Sequence, residues 1–101
     1  MTSRTKGNRV RNKAIKELEH DGYLVGIVER TGRFVKVKDL WDMFDLCAIN
    51  KSGKIRFIQV KTNQTGGFIK KLEQFRLDFP SYATYELWCW IDRKGFNYYV
   101  K

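Results

Sequence analysis

The hydrophobic and polar positions of this 101-residue chain change their period several times, and each change predicts a new element. Residues 7–21 place apolar side chains on one side of a helix, at Val10, Ala14, Ile15 and Leu18. Asp21 and Gly22 are predicted to end this helix, because glycine commonly follows the last helical residue. Runs of β-branched and aromatic residues then predict strands at 23–29, 44–49 and 54–62, with turns at 30–33 and 50–53. Residues 34–38 fit either a short strand or an extended loop.

The second half of the chain repeats this alternation of helix and strand. Residues 63–67 form a polar break, after which aromatic and aliphatic residues recur at helical spacing, at Phe68, Leu72, Phe75 and Phe79. Pro80 ends that helix, and two aromatic-rich strands follow at 82–91 and 96–100. The order predicts one α/β domain over residues 1–101, with a small sheet flanked by helices.

Composition narrows the class of protein. Hydrophobic residues make up 43% of the chain and aromatic residues 15%, which indicates a packed core rather than a disordered segment. No apolar run is long enough to span a bilayer, and the first residues lack the apolar stretch of a signal peptide. We therefore expect an intracellular, cytoplasmic protein with no membrane association. Cys47 and Cys89 fit no zinc-binding spacing and are predicted to be core thiols.

The net charge of +9 indicates a polyanionic partner. Residues 1–16 form a basic N-terminal segment that contains no acid and six cations, Arg4, Lys6, Arg9, Arg11, Lys13 and Lys16. Three more cations, Arg33, Lys36 and Lys38, lie in or beside the predicted 34–38 segment, where they suit contacts to a DNA backbone. The charge alone fits either nucleic acid or an anionic membrane surface, and the one-sided basic run favours nucleic acid.

One acidic residue and one Gln-x-Lys sequence carry the candidate chemistry. Gln59 and Lys61 share a face of their strand because side chains alternate, and the hairpin at 50–53 brings Asp45 close to them. A carboxylate, an amide oxygen and an ammonium in one small volume suit a divalent metal, a phosphate and an attacking water. The backbone carbonyl of Val60 is a further possible metal ligand.

These residues, in this order of elements, resemble the PD-(D/E)xK nuclease superfamily, and within it the archaeal Holliday junction resolvases and related proteins of archaea and their viruses. The resemblance covers residues 6–62 and rests most specifically on Ile58-Gln59-Val60-Lys61-Thr62. Phe44-Asp45-Leu46 also carries it, together with the weaker Lys6-Gly7 and Asp21-Gly22-Tyr23 elements. It implies a restriction-endonuclease-like fold, with a central mixed β-sheet flanked by helices.

The resemblance also implies roles. Asp45 and Gln59 would hold Mg²⁺ or Mn²⁺, and Lys61 would be the catalytic lysine that positions or activates water. The implied activity is a metal-dependent endonuclease that hydrolyses DNA phosphodiester bonds, including those of branched or junction DNA. Symmetric cleavage of two strands of a junction further implies a homodimer.

Two positions depart from the pattern of the resembled family. Gln59 stands where a Glu or Asp is usual, and Arg11 stands where resolvase-like members have a helix Glu. Glu17 and Asp42 are the candidate replacement acids, whereas Asp39 is expected to be a solvated loop residue. These departures keep an alternative open: a catalytically inactive nucleic-acid-binding module on the nuclease fold. An RNA-recognition or membrane-surface protein is disfavoured, because neither signature is present.

Overall fold

Two helices and five strands make up the structure, a computed structural model that describes residues 3–28, 41 and 43–101, with side chains from residue 8 onward. In chain order these elements are α1 Ser3–His20, β1 Leu24–Ile27, β2 Leu46–Ile49, β3 Ile55–Thr62, α2 Phe68–Asp78, β4 Thr84–Ile91 and β5 Gly95–Val100. The predicted turn at 30–33 and the strand or loop at 34–38 lie outside the described residues.

The five strands form one mixed sheet in the order β1-β2-β3-β4-β5. β3 and β4 are parallel and are joined through α2, while the other neighbouring pairs are antiparallel. The predicted α/β class with a central mixed sheet flanked by helices is therefore confirmed. The β2–β3 hairpin is closed at the predicted turn, where Asn50 Oδ1 accepts hydrogen bonds from the Ser52 and Lys54 amides, both at 3.0 Å.

Each face of the sheet carries one helix and one apolar cluster. On the α1 face, Ala14 and Leu18 pack against Leu46, Ile58 and Trp88. On the α2 face, the core consists of Phe44, Phe68, Leu72, Tyr85 and Leu87. The predicted apolar stripe of α1 is confirmed by the burial of Val10, Ala14 and Leu18, and that of α2 is confirmed at Phe68 and Leu72.

Some predicted boundaries were wrong. Helix α1 begins at Ser3 rather than at residue 7, because a single glycine costs a helix only about 1 kcal/mol and does not stop it. The helix does end as predicted: Gly22 has φ 90°, and the Tyr23 amide bonds the Leu18 carbonyl at 3.0 Å. β1 ends at Ile27, and β4 begins at Thr84 rather than at residue 82.

A hydrogen-bonded network on the α1 face of the sheet joins the side chains of Trp88, Glu86 and Arg56. The Glu86 carboxylate is fully buried and accepts hydrogen bonds from Arg56 Nε and Nη2, both at 2.7 Å, and from Trp88 Nε1 at 3.0 Å. Thr84 Oγ1 donates a further bond. The Arg56 guanidinium lies 5.0 Å from the Tyr23 ring centroid and 5.5 Å from that of Trp88. This network ties β3 to β4 and is part of the core.

Candidate active site

Asp45 lies at a bend where β2 begins, and the bend sets the direction of its side chain. Regular alternation would put Phe44 and Leu46 on one face of the sheet. Instead Phe44 packs in the α2 cluster and Leu46 in the α1 cluster, so the alternation breaks at Asp45. Breaks of this kind re-aim a side chain beside functional sites. The strand predicted from residue 44 begins only at Leu46, so this predicted boundary was wrong.

The backbone and the carboxylate of Asp45 are both held in place. Its amide donates to the Ile58 carbonyl at 2.9 Å, and its carbonyl accepts from the Val28 amide at 2.8 Å. Its Oδ2 accepts a hydrogen bond from the Val60 amide at 3.1 Å. The β2–β3 register would otherwise pair that amide with residue 44, so the carboxylate replaces a main-chain acceptor. Asp45 is thereby fixed to the segment that carries Gln59 and Lys61.

Gln59 contributes a buried oxygen to this end of the sheet. Within the described part of the chain, its Oε1 is buried and has no hydrogen-bond partner. Buried polar atoms without a partner are rare, and an unseen water or cation is a common explanation. An amide oxygen is a suitable ligand for a hard cation such as Mg²⁺ or Ca²⁺.

Val60 supplies a main-chain oxygen in the same place. The N–H and C=O of a strand residue project toward the same neighbouring strand. Because the Val60 amide bonds Asp45, its carbonyl also faces the Asp45 side of β3. These three oxygen ligands, from a carboxylate, a side-chain amide and a main-chain carbonyl, suit a hard divalent cation. Together they carry a single negative charge. No group of three or more His, Cys, Asp and Glu residues suited to a metal ion occurs within residues 3–28, 41 and 43–101.

Lys61 is on the α2 face, two residues beyond Gln59. Its Nζ lies 5.6 Å from the centroid of the Phe68 ring, at the start of α2. Phe57, on the same alternation, packs in the α2 cluster. The predicted sharing of a face by Gln59 and Lys61 agrees with both contacts.

The replacement acids fall in different places. Glu17 Oε2 accepts a hydrogen bond from Tyr98 Oη at 2.6 Å, and Tyr98 is on β5, three strands from β2. Burial and the Glu17 carboxylate raise the pKa of Tyr98 to about 12. Glu17 is therefore engaged elsewhere, and we leave it out of the site. Asp39 and Asp42 lie outside the described residues.

The outer side of α1 is basic and polar. Arg9, Lys13 and Lys16 are exposed, and together with Asn8 and Asn12 they line an open depression of about 440 Å³. Lys13 Nζ lies 5.0 Å from the Trp90 ring centroid, near the carboxyl end of β4. The middle of α1 therefore lies at the same end of the sheet as Lys61. Asn8 and Asn12 were not singled out from the sequence, although their helical spacing with Lys16 marks the side opposite the apolar stripe.

The remaining predicted cations divide into two groups. Arg11 is half-buried on α1, next to the apolar stripe, as the helical angles predict. Arg4 and Lys6 belong to α1, but their side chains lie outside the described part, as do Arg33, Lys36 and Lys38.

An aromatic cleft on the α2 face was not predicted. Trp41, Phe75, Phe79 and Tyr85 line a cavity of about 370 Å³. Trp41 and Phe79 are 55% and 59% exposed, which is high for large apolar side chains. The sequence suggested that the phenylalanine stripe of α2 was core, and Phe79 departs from that prediction.

The fold is shared with a solved nuclease structure. It is similar to that of Archaeoglobus fulgidus Hjc, a Holliday junction resolvase from an archaeal hyperthermophile, with a TM-score of 0.62 and 19% sequence identity. The match covers 92% of this chain and 75% of that one. No protein-family model and no curated protein sequence matches the chain. The similarity establishes the resolvase-like, restriction-endonuclease-like fold, whereas the activity must be argued from the residues.

Proposed function

We propose that the protein is a metal-dependent endonuclease that hydrolyses DNA phosphodiester bonds, with branched or junction DNA as its substrate class. The observation that supports the proposal is the hydrogen bond that fixes the Asp45 carboxylate to Val60, the residue between Gln59 and Lys61 on β3. The buried Gln59 Oε1, which has no partner among the described residues, and the Lys61 ammonium over Phe68 add to this support. The resolvase-like fold supports it, because its neighbour is described as a Holliday junction resolvase.

The chemistry divides among these side chains. A divalent cation, when bound, would neutralise charge on the phosphate and lower the pKa of the attacking water. Asp45, Gln59 and the Val60 carbonyl would hold it. The Val60 amide fixes the Asp45 carboxylate. The ammonium of Lys61 would donate hydrogen bonds to the water or to a phosphate oxygen. A positioned group of this kind contributes roughly 10²–10⁴ in rate.

DNA would approach the end of the sheet where β3 and β4 finish. Arg9, Lys13 and Lys16 offer phosphate contacts there, which fix register without reading sequence. Cleaving two strands of a junction needs two active sites, so we propose a homodimer. No helix in the described part of the chain is long and apolar enough to cross a membrane.

The test is cleavage of labelled duplex, single-stranded and four-way junction DNA in Mg²⁺, Mn²⁺ or EDTA. Lys61→Ala should abolish metal-dependent cleavage and keep most of the DNA affinity. Binding loses one of many cations, whereas the chemistry loses the ammonium proposed to act on the water. Lys70→Ala is the matched control, since Lys70 is an exposed cation on α2.

The alternative is a binding module that has lost catalysis. The single negative charge among the proposed metal ligands favours it, as does Arg11 in place of a helix Glu. If the wild-type protein cleaves no form of DNA in either metal, and Gln59→Glu does not restore cleavage, the binding module replaces the nuclease as the better account.

A further inference from the structure

The ammonium of Lys61 rests on the ring of a buried aromatic residue. Its Nζ lies 5.6 Å from the ring centroid of Phe68, whose side chain is only 6% exposed. Among the described residues, none forms an ion pair with Lys61. The flexible four-carbon stem of a lysine does not by itself keep its ammonium in one place. The ring is therefore the contact that does so.

The turn between β3 and α2 brings this ring to the lysine. Gly66 and Gly67 have φ values of 57° and 75°, a left-handed conformation that glycine adopts without strain. The chain reverses there, and Phe68, the first residue of α2, returns against the face of β3 that carries Lys61. One helical turn later, Leu72 is fully buried in the same cluster, which anchors the start of the helix.

We propose that Phe68 is a positioning residue, whose ring keeps the Lys61 ammonium at the carboxyl end of β3 in the orientation that hydrolysis needs. The inference rests on the proposed nuclease function and adds to it a residue outside the Asp45–Gln59–Lys61 group. A cation over an aromatic face is attracted by the quadrupole of the ring, and the attraction is stronger where water is partly excluded.

Three variants separate the ring from ordinary packing. Phe68→Leu removes the ring but keeps an apolar side chain. Phe68→Tyr restores a ring at the same place. Phe75→Leu is the matched control, because Phe75 is an aromatic residue two turns along α2 that packs against Phe79 and Tyr85. No described cation lies over the Phe75 ring.

The first measurement does not depend on activity. In the wild-type protein, the Hε and Cε resonances of Lys61 should be shifted upfield by the ring current, relative to those of exposed Lys70. The shift should disappear in Phe68→Leu and persist in Phe68→Tyr and Phe75→Leu. Lys61 resonances equal to those of Lys70 in the wild-type protein would overturn the inference, even if Phe68→Leu did not fold.

The second measurement is cleavage at saturating metal and DNA. Phe68→Leu should lower kcat roughly 5- to 30-fold and change KM little. This factor is the extent to which a partly desolvated cation–π contact favours one conformation of the lysine. Phe68→Tyr should recover the wild-type rate. An equal loss in Phe75→Leu would overturn the inference, since packing alone would then explain it. Absence of cleavage in the wild-type protein would overturn the nuclease and with it the catalytic role of Phe68, while the resonance shifts would still decide the contact.

Discussion

Gln59→Glu tests the proposed metal site most directly. The change converts the partnerless buried oxygen beside Val60 into a carboxylate and leaves the size of the side chain nearly unchanged. Two unit charges about 4 Å apart interact by about 4 kcal/mol at an effective dielectric constant of 20. Attraction to a divalent cation would thus contribute about 8 kcal/mol to metal binding. Repulsion from Asp45, about 4 kcal/mol at the same spacing, is present with and without the metal, so it lowers the stability of the metal-free protein and not the metal affinity.

Desolvation on metal binding reduces this gain. The cation and the carboxylate each lose water when they meet, which costs several kcal/mol per ion, even after relaxation and water penetration. We therefore expect a net gain of about 1–3 kcal/mol, which makes Mg²⁺ or Mn²⁺ bind about 5- to 150-fold more tightly. Without metal, the two carboxylates repel each other, so the variant should melt at a lower temperature than the wild-type protein in EDTA. Added metal should reverse that loss.

Isothermal titration with Mn²⁺ and thermal unfolding with and without metal are the assays. Gln64→Glu is the matched control, because Gln64 is exposed just after β3 and receives the same charge at the same end of the sheet. Equal affinity of the wild-type and Gln59→Glu proteins for Mn²⁺ would refute the assignment of Gln59 as a ligand. So would an equal gain in Gln64→Glu, which would indicate a general effect of charge.

Three further outcomes are expected. Changing Arg9 and Lys13 to Gln should lower the log–log salt slope of DNA binding by about 1.8, because each phosphate contact contributes about 0.9. Changing Lys51 and Lys54 in the β2–β3 turn to Gln should leave the slope unchanged. Fluorescence anisotropy over a salt series measures both slopes. Glu86→Leu should destabilise the fold by about 3–5 kcal/mol because it leaves Arg56 without its partner, and a second change, Arg56→Met, should recover most of the loss in urea unfolding. Burial alone would raise the pKa of Glu86, but hydrogen bonds from Arg56, Thr84 and Trp88 outweigh it and lower that pKa. The stability that Glu86 contributes should therefore be fully present above the ordinary glutamate pKa of about 4.3 and be lost as the pH falls through the lowered pKa of the folded protein. The unfolding curves of the wild-type and Glu86→Gln proteins should therefore converge in acid.

Most of the fold could be predicted from the sequence, because the pattern of neighbouring residues determines most of its helices, strands and turns. The helical period at Val10, Ala14 and Leu18 and the turn at 50–53 depend on neighbouring residues alone, and both appear in the structure. Strand ends were less predictable. Tyr82 has strand propensity but is fully exposed, and β4 starts two residues later, where its side chains enter the core.

The sequence was sufficient to nominate candidate site residues but not to predict their geometry. Alternation along one strand suffices to pair Gln59 with Lys61. The bend at Asp45 is different, because it depends on Phe44 packing against α2 and on the Val60 amide, both distant in sequence. The contact between Lys61 and Phe68 was equally hidden, since the helical stripe alone marks Phe68 as core.

The location of these features argues for one functional end of the molecule. Lys13, near the middle of α1, lies over Trp90 at the carboxyl end of β4, and Glu17, one helical turn later, reaches Tyr98. The amino end of α1 is therefore directed toward the carboxyl end of β4. α2 begins at the same end, because Phe68 lies against Lys61. Both helices therefore direct their amino ends, which carry partial positive charge, toward the region that contains Asp45 and Lys61. A phosphate that reached this region would meet the Lys61 ammonium, the cations of α1 and two helix dipoles, while Asp45 would be the nearby anion that a divalent cation needs. This arrangement favours an enzyme over a simple binding module, because a module would gain nothing from a fixed carboxylate where its ligand is anionic.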